Sequence, residues 1–228
     1  MRPIQIAIDG PSGAGKSTMA KLISQKLKIM YLDTGAMYRA LALKAIRKGM
    51  DTRDRALVTT LLEDLDIRIS FDNGNQKVLL DGEDVSGLIR TDEVSMGASN
   101  VSAIPEVRQR LVELQQKIAS NNSVVMDGRD IGTHVLPQAD IKIFLTASAK
   151  ERALRRFEEL QEKGLLTKTL EELEKEIETR DYNDSNRAAS PLRKADDAIL
   201  LDTTGYAIEQ SVEAIIEIVR AKGLAHVI

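Results

Sequence analysis

Apolar and polar positions along the chain switch repeatedly between a period of two and a helical period. Residues 4–9 are a short apolar run with β-branched members, which predicts a buried strand. Met19, Ala20, Leu22, Ile23 and Leu27 then recur at helical spacing. Residues 29–33 predict a second strand, and Thr34 is placed to cap a helix with an apolar face through Met37, Leu41, Ala45 and Ile46. Further on, residues 95–119 predict helix in two pieces broken before Pro105, with Val107, Leu111, Leu114 and Ile118 as the buried stripe and Arg108 and Arg110 facing elsewhere. Strands are predicted at 123–127, 141–145 and 197–202, helices at 149–163 and 169–182, and a closing amphipathic helix at 208–220. Strand and helix in this alternation predict an α/β fold around a five-stranded parallel sheet.

Residues 51–96 break the alternation. A helix is expected over 51–65 and two β-like runs over 67–71 and 76–80. Asp72-Asn73-Gly74-Asn75 lies between the runs as a hairpin turn signal, and residues 81–84 make a further turn before a short third strand at 85–89. The expected organisation is a core from residues 1–50, 97–150 and 188–228, an inserted small α+β subdomain at 51–96, and a charged helical hairpin at 151–187. That hairpin has little apolar content for its length, as a closing lid does; a solvated charged hairpin is the plainer alternative.

Chemistry enters at the first turn. Gly10-Pro11-Ser12-Gly13-Ala14-Gly15-Lys16-Ser17 fits G-x-x-x-x-G-K-[ST], between a predicted strand and a predicted helix. Glycines at such a turn let backbone N–H groups wrap an anion, and the helix N-terminus adds its positive dipole end. Lys16 would reach the β- and γ-phosphates of a nucleoside triphosphate, and the Ser17 hydroxyl would ligate Mg²⁺. The apolar strand ending at Asp127 resembles a Walker B element, which puts that carboxylate near the metal. It runs into Gly128-Arg129-Asp130-Ile131-Gly132-Thr133, a glycine-bracketed loop holding two charges, Arg129 and Asp130.

Composition narrows the partners. In 228 residues the net charge is −3, which argues against long nucleic acid. There is no cysteine, hence no disulfide. No stretch approaches the ~18 uninterrupted apolar residues of a membrane span, and no basic and apolar leader precedes the first strand. A cytoplasmic, monomeric protein is expected. Within this acidic chain Arg39, Arg108, Arg129, Arg152, Arg155, Arg156, Arg180 and Arg187 stand out. Guanidinium groups bind phosphate bidentately and stay charged, so the set suits a second anionic substrate and a transferring phosphoryl group. No N-K-x-D signature appears, which weakens a GTPase, and Asp127 has no following Glu, which disfavours a helicase-like ATPase. His134 and His226 sit in no base constellation and are read as structural or surface residues. A kinase for another monophosphate or a small molecule, and a non-catalytic ATP switch, are the rival readings.

The chain also resembles the bacterial cytidylate kinases over essentially its full length. The resemblance is carried by residues 8–16, by Leu32-Asp33-Thr34-Gly35-Ala36-Met37-Tyr38-Arg39, by Asp127 through Thr133, and by Arg180-Asp181 through Asn186-Arg187. It implies ATP at Gly10, Pro11, Ser12, Gly13, Ala14, Gly15, Lys16, Ser17 and Thr18, and CMP or dCMP opposite. Thr34, Arg108 and Asp130 are then the cytosine readers, since a carboxylate can accept from the exocyclic amine that uracil lacks. Ser99, Arg180 and Asp184 resemble the ribose-side residues, and Arg39, Arg129 and Arg187 the acceptor-phosphate clamp. Arg152 and Arg156 would come down with the lid onto the donor phosphates. Some family members carry serine at the position of Thr34 and glycine at that of Ser17.

Overall fold

The computed structural model describes residues 2–72 and 75–224. Asn73 and Gly74 of the expected hairpin turn, and His226, lie outside the described residues. The first strand, β1 (Gln5–Asp9), is the middle of a five-stranded sheet. It is flanked by β6 (Val124–Gly128) and β7 (Ile141–Thr146), with β2 (Met30–Asp33) and β8 (Ile199–Asp202) at the edges; every pairing is parallel. Buried on both faces, β1 reads as a continuous apolar run. Ile6 and Ile8 pack with Met19, Ile23, Ile215 and Ile216 from α1 (Lys16–Leu27) and α8 (Ile208–Ala221). Ala7 points the other way, into a cluster with Leu32, Met126, Ile131 and the Ala119 end of α5 (Pro105–Ser120).

A second core lies beside this one. Met37, Leu41 and Ala45 of α2 (Thr34–Arg47) meet Val78, Leu80, Val85 and Ile89 of the inserted segment, and Val94 and Val101 of α4 (Asp92–Ser102). The insertion carries α3 (Arg55–Thr60) and a small antiparallel sheet of β3 (Ile67–Asp72), β4 (Asn75–Leu80) and β5 (Glu83–Asp84). The charged hairpin is α6 (Ala149–Glu162) and α7 (Leu170–Asn186), held by a cluster of its own formed by Ala153, Leu160, Leu173 and Ile177. No helix among the described residues is long and apolar enough to cross a membrane.

Four expectations change. The helix expected over 51–65 shrinks to Arg55–Thr60, capped by Asp54 accepting from the Leu57 N–H, because the chain turns from Leu61 to bury Leu61 and Leu65. The third small strand is Glu83–Asp84; Val85 is buried and Leu88–Arg90 forms a 3-10 turn in place of a strand over 85–89. Asp33 rather than Thr34 caps α2, accepting from the Ala36 N–H at 3.0 Å. Arg108 does not face away from the buried stripe of α5: it is itself buried, its guanidinium 5.4 Å from the centroid of the Tyr38 ring.

Candidate functional site

Strand register gathers the chemistry. Asp33 of β2 lies beside Asp127 of β6, and Asp9 of β1 lies beside Gly128, so three adjacent strands end in one row of carboxylates. Ligands of open α/β sheets bind along this carboxyl edge. The loop after β1 turns sharply at Gly10, whose φ is +150° and whose added Cβ would fall 1.9 Å from the Leu145 carbonyl oxygen of β7. No side chain fits there. At Gly13, φ +75°, a Cβ would meet Arg152 at 3.1 Å and Ile177 at 3.5 Å, so both helices of the charged hairpin crowd the crest of the loop.

Lys16 opens α1 from within this loop, and its Nζ donates to the Pro11 carbonyl at 2.6 Å. Burial first, then the positive charges of Arg129 and Arg180, push its ammonium down to about 7. Next to it the exposed Ser17 donates its hydroxyl to Asp127 Oδ2 at 2.8 Å, while the Tyr31 hydroxyl donates to Oδ1 at 2.9 Å. Burial, with Asp33 adding to it, pushes the Asp127 carboxyl up to about 6. Thr18 is exposed on the first turn of α1. A hydroxyl and a carboxylate at the phosphate loop are hard oxygen donors suited to Mg²⁺. Among the described residues no cluster of three or more His, Cys, Asp or Glu side chains could hold a metal alone.

On the other side of the row the loop from Gly128 leads into one π-helical turn, Ile131–Val135, where a plain loop was expected. Asp130 is buried and pairs with Arg108; Arg187 Nη2 is 3.8 Å from its other oxygen. The Arg108 fork also donates to the Ser102 carbonyl at 3.1 Å, and Ser102 Oγ donates to the Ser99 carbonyl one turn back on α4. Thr34 Oγ1 donates to the Asp127 carbonyl at 2.7 Å. Arg39 donates to Asp33 Oδ2 at 2.6 Å, and Arg129 Nε to Asp184 Oδ2 at 2.7 Å. Arg180, on α7 between these pairs, is pushed down to about 10 by burial, Arg129 and Arg39. Among the described residues the buried Nε atoms of Arg39, Arg108 and Arg180 and Arg187 Nη2 find no hydrogen-bond partner. Buried unpaired donors are rare in proteins, and four guanidinium nitrogens of this kind suit an anionic, hydrogen-bonding ligand.

The structure thus brings Lys16, Ser17, Thr34, Arg39, Arg108, Arg129, Asp130, Arg180, Asp184 and Arg187 to one edge of the sheet. Arg152 joins from α6, donating to the Ser12 carbonyl at 2.7 Å and to Asp181 at 2.5 Å. Arg156 does not reach the loop; it pairs with Glu159 at 3.0 Å and Asp92 at 3.7 Å, tying α6 to α4. Its neighbour Arg155 instead donates to the Thr203 carbonyl at 2.8 Å and lies 3.9 Å from the Cβ position of Gly15. Sequence reasoning missed four polar anchors. Asp181 accepts from the Ser12 N–H at 2.9 Å, and Tyr31 steadies Asp127. Gln76 bridges the Asp33 N–H and carbonyl from β4. Asp9 accepts from the N–H groups of Ile131 and Gly132 at 2.8 and 2.7 Å. Asp9 left a signal, a charge ending an otherwise apolar central strand, and Asp181 lies in the Arg180-Asp181 run.

The buried Asp184 permits one expected result. Burial alone would raise its carboxyl, but Arg129, Arg180 and Arg187 together hold it below 3.8. A carboxylate depressed in this way stabilises the fold above its unfolded value and loses that contribution as pH falls through the folded value. Asp184→Asn is therefore predicted to lower the thermal midpoint at pH 7, with the gap to wild type closing below about pH 3.8. A gap that persists undiminished at pH 3 would remove the ionic account of this pair.

Comparison with known proteins points to one family. A family model described as Cytidylate kinase matches residues 6–221. The sequence is 52% identical over 218 residues to a cytidylate kinase of Caldicellulosiruptor bescii, covering 96% of each chain. It is 54% identical over 218 residues to a cytidylate kinase of Streptococcus suis, covering 95% of this chain and 96% of the relative. Among solved structures, a gluconokinase from Sinorhizobium meliloti superposes with a TM-score of 0.50 at 12% identity, covering 98% of this chain and 96% of that one; a likeness so distant carries the fold alone.

Proposed function

The chain belongs to the cytidylate kinase family, a family of nucleoside monophosphate kinases, and from that premise we propose that it transfers the γ-phosphoryl group of ATP to CMP or dCMP. In this reading Gly10, Pro11, Ser12, Gly13, Ala14, Gly15, Lys16, Ser17 and Thr18 cradle the donor phosphates. Ser17 and Asp127 would hold Mg²⁺, which would supply neutralisation of phosphate charge. Thr34, Arg108 and Asp130 read the cytosine; Ser99, Arg180 and Asp184 face the ribose; Arg39, Arg129 and Arg187 clamp the acceptor phosphate. Lys16, Arg129 and Arg152 stabilise the charge of the moving phosphoryl group, with Arg156 joining them only if α6 shifts from its present pairing with Asp92.

An oxygen of the acceptor phosphate forms the new bond to Pγ while the bond from Pγ to the β,γ-bridging oxygen breaks, and ADP leaves with that electron pair. The acceptor oxygen is already largely ionised near pH 7, its second pKa being about 6, so no side-chain base is required. The protein's task reduces to alignment and fixed positive charge. Residues 151–187 would act as the lid and 51–96 as the acceptor-side subdomain on a core of residues 1–50, 97–150 and 188–228. In this reading the protein acts as a monomer in the cytoplasm, where both nucleotide substrates are found.

The observation that carries the reading is the buried Asp130 carboxylate, flanked by Arg108 and Arg187 and set across from the lysine-bearing loop. An acceptor-oriented carboxylate suits the amine-bearing edge of cytosine and not the corresponding edge of uracil. Assay of ADP formation from ATP with CMP, dCMP, UMP and AMP tests it. Turnover with CMP and dCMP at least tenfold above that with UMP is the expected result; equal or poorer turnover of the cytidine nucleotides would refute it.

A further inference from the structure

Asp9 does for the Asp130 loop what Asp130 does not do for itself. Asp130 stands at the N-cap of the π-helical turn Ile131–Val135, where an aspartate ordinarily turns its carboxylate back onto the first backbone N–H groups. Here its side chain makes no such bond and points to Arg108 and Arg187 instead. The head of the turn is capped from another strand: both Asp9 oxygens accept, one from Ile131 N–H at 2.8 Å and one from Gly132 N–H, which an Asp130 cap could have taken, at 2.7 Å. Only a carboxylate presents two acceptors in this way; an amide presents one acceptor and one donor. The fit leaves no slack, since a Cβ on Gly132 would stand 3.3 Å from Asp9 Oδ2 and 3.2 Å from Lys142. Asp9 itself is 5% exposed and is fixed by ladder bonds to β6 and β7 on either side.

We infer that Asp9 is a positioning residue for acceptor recognition: it caps the turn in place of Asp130 and thereby keeps the Asp130 carboxylate turned into the acceptor pocket. The inference rests on the acceptor reading proposed above. Without the Asp9 carboxylate, two buried N–H groups lose their partner, and Asp130 at the N-cap is placed to take over that of Gly132. Asp130 then swings from the pocket to the turn, and the monophosphate loses its reader although Asp9 never touches it.

Asp9→Asn tests this, because the amide keeps the volume while setting a donor against one N–H. The expected result is a KM for CMP raised at least tenfold with the KM for ATP changed less than twofold. Amide hydrogen exchange on the protein alone should quicken at Ile131 and Gly132. In an Asp130→Ala background, Asp9→Asn should raise the KM for CMP no further, as coupled residues are non-additive. A parallel rise in both KM values, an unchanged KM for CMP, or full additivity with Asp130→Ala would overturn the inference. Asp9→Ala, which removes the acceptors without adding a donor, runs alongside in case the amide variant does not fold. If the wild-type enzyme prefers another monophosphate, the proposed acceptor fails; the same comparison made with the preferred one still decides for or against Asp9.

Discussion

Lys16→Ala should lower kcat by about 10³ or more, equivalent to ~4 kcal/mol of lost transition-state stabilisation, while leaving the fold intact. The ammonium is the only lysine charge assigned to the donor loop, and under the proposed function it would sit where negative charge spreads over the γ-phosphoryl oxygens. Its effect on stability has the opposite sign to that of an ordinary buried residue. Burial with Arg129 and Arg180 nearby pushes the side chain down to about 7, so folding disfavours its charged form. That penalty appears as pH falls below 10.5 and is complete below about 7. Removing the lysine relieves it, and the thermal midpoint at pH 7 should hold or rise as turnover collapses. Single-turnover assay together with thermal unfolding checks both halves. Turnover within tenfold of wild type would take Lys16 out of the catalytic assignment, and a lowered midpoint would contradict the electrostatic account.

What could be read in advance, and what could not, divides by range along the chain. The strand ends of the parallel sheet, the phosphate loop and the break before Pro105 are local patterns, and each stands within a residue or two of its expected place. Arg108 was misread because periodicity treats arginine as a solvent group. At position 108 it adjoins the stripe of Val107 and Leu111, and Asp130 and Tyr38 supply partners that let it stay buried. Those partners lie on other elements. The same holds for Asp9 with Ile131, 122 residues apart, and for Asp181 with Ser12, 169 apart. No local spacing rule reaches that far. The helix expected over 51–65 failed for a different reason: tertiary burial of Leu61 and Leu65 outweighed modest propensity.

Pairing with aspartates also explains why so many cations can be packed at one sheet edge of an acidic protein. Arg39, Arg108, Arg129 and Arg152 are each held by an aspartate, namely Asp33, Asp130, Asp184 and Asp181. Each pair fixes a fork while leaving other nitrogens without a protein partner, as with the Nε atoms of Arg39 and Arg108. Preorganised charge of this kind needs no rearrangement at the moment of transfer.

Asp130→Ala is where this arrangement should fail most visibly on the acceptor side. Two losses are expected, and they are separable. The first is stability: Arg108 and Arg187 are 4% and 6% exposed at their residue or side chain, and removing their shared carboxylate leaves buried positive charge uncompensated. Breaking a buried pair from one side costs about 3–5 kcal/mol, so the thermal midpoint should drop by several degrees. The second is acceptor use. The exocyclic amine of cytosine loses its acceptor, and kcat/KM for CMP should fall by about 10²–10³, in line with a lost contact of ~3–4 kcal/mol in a dry site. ATP binding, measured by calorimetry below the new midpoint, should stay within threefold of wild type. Discrimination between CMP and UMP should shrink at the same time, because the group that tells amine from carbonyl is gone. If CMP and ATP affinities fell together, Asp130 would be a structural charge only, and Arg108 would be its partner in the fold rather than in recognition.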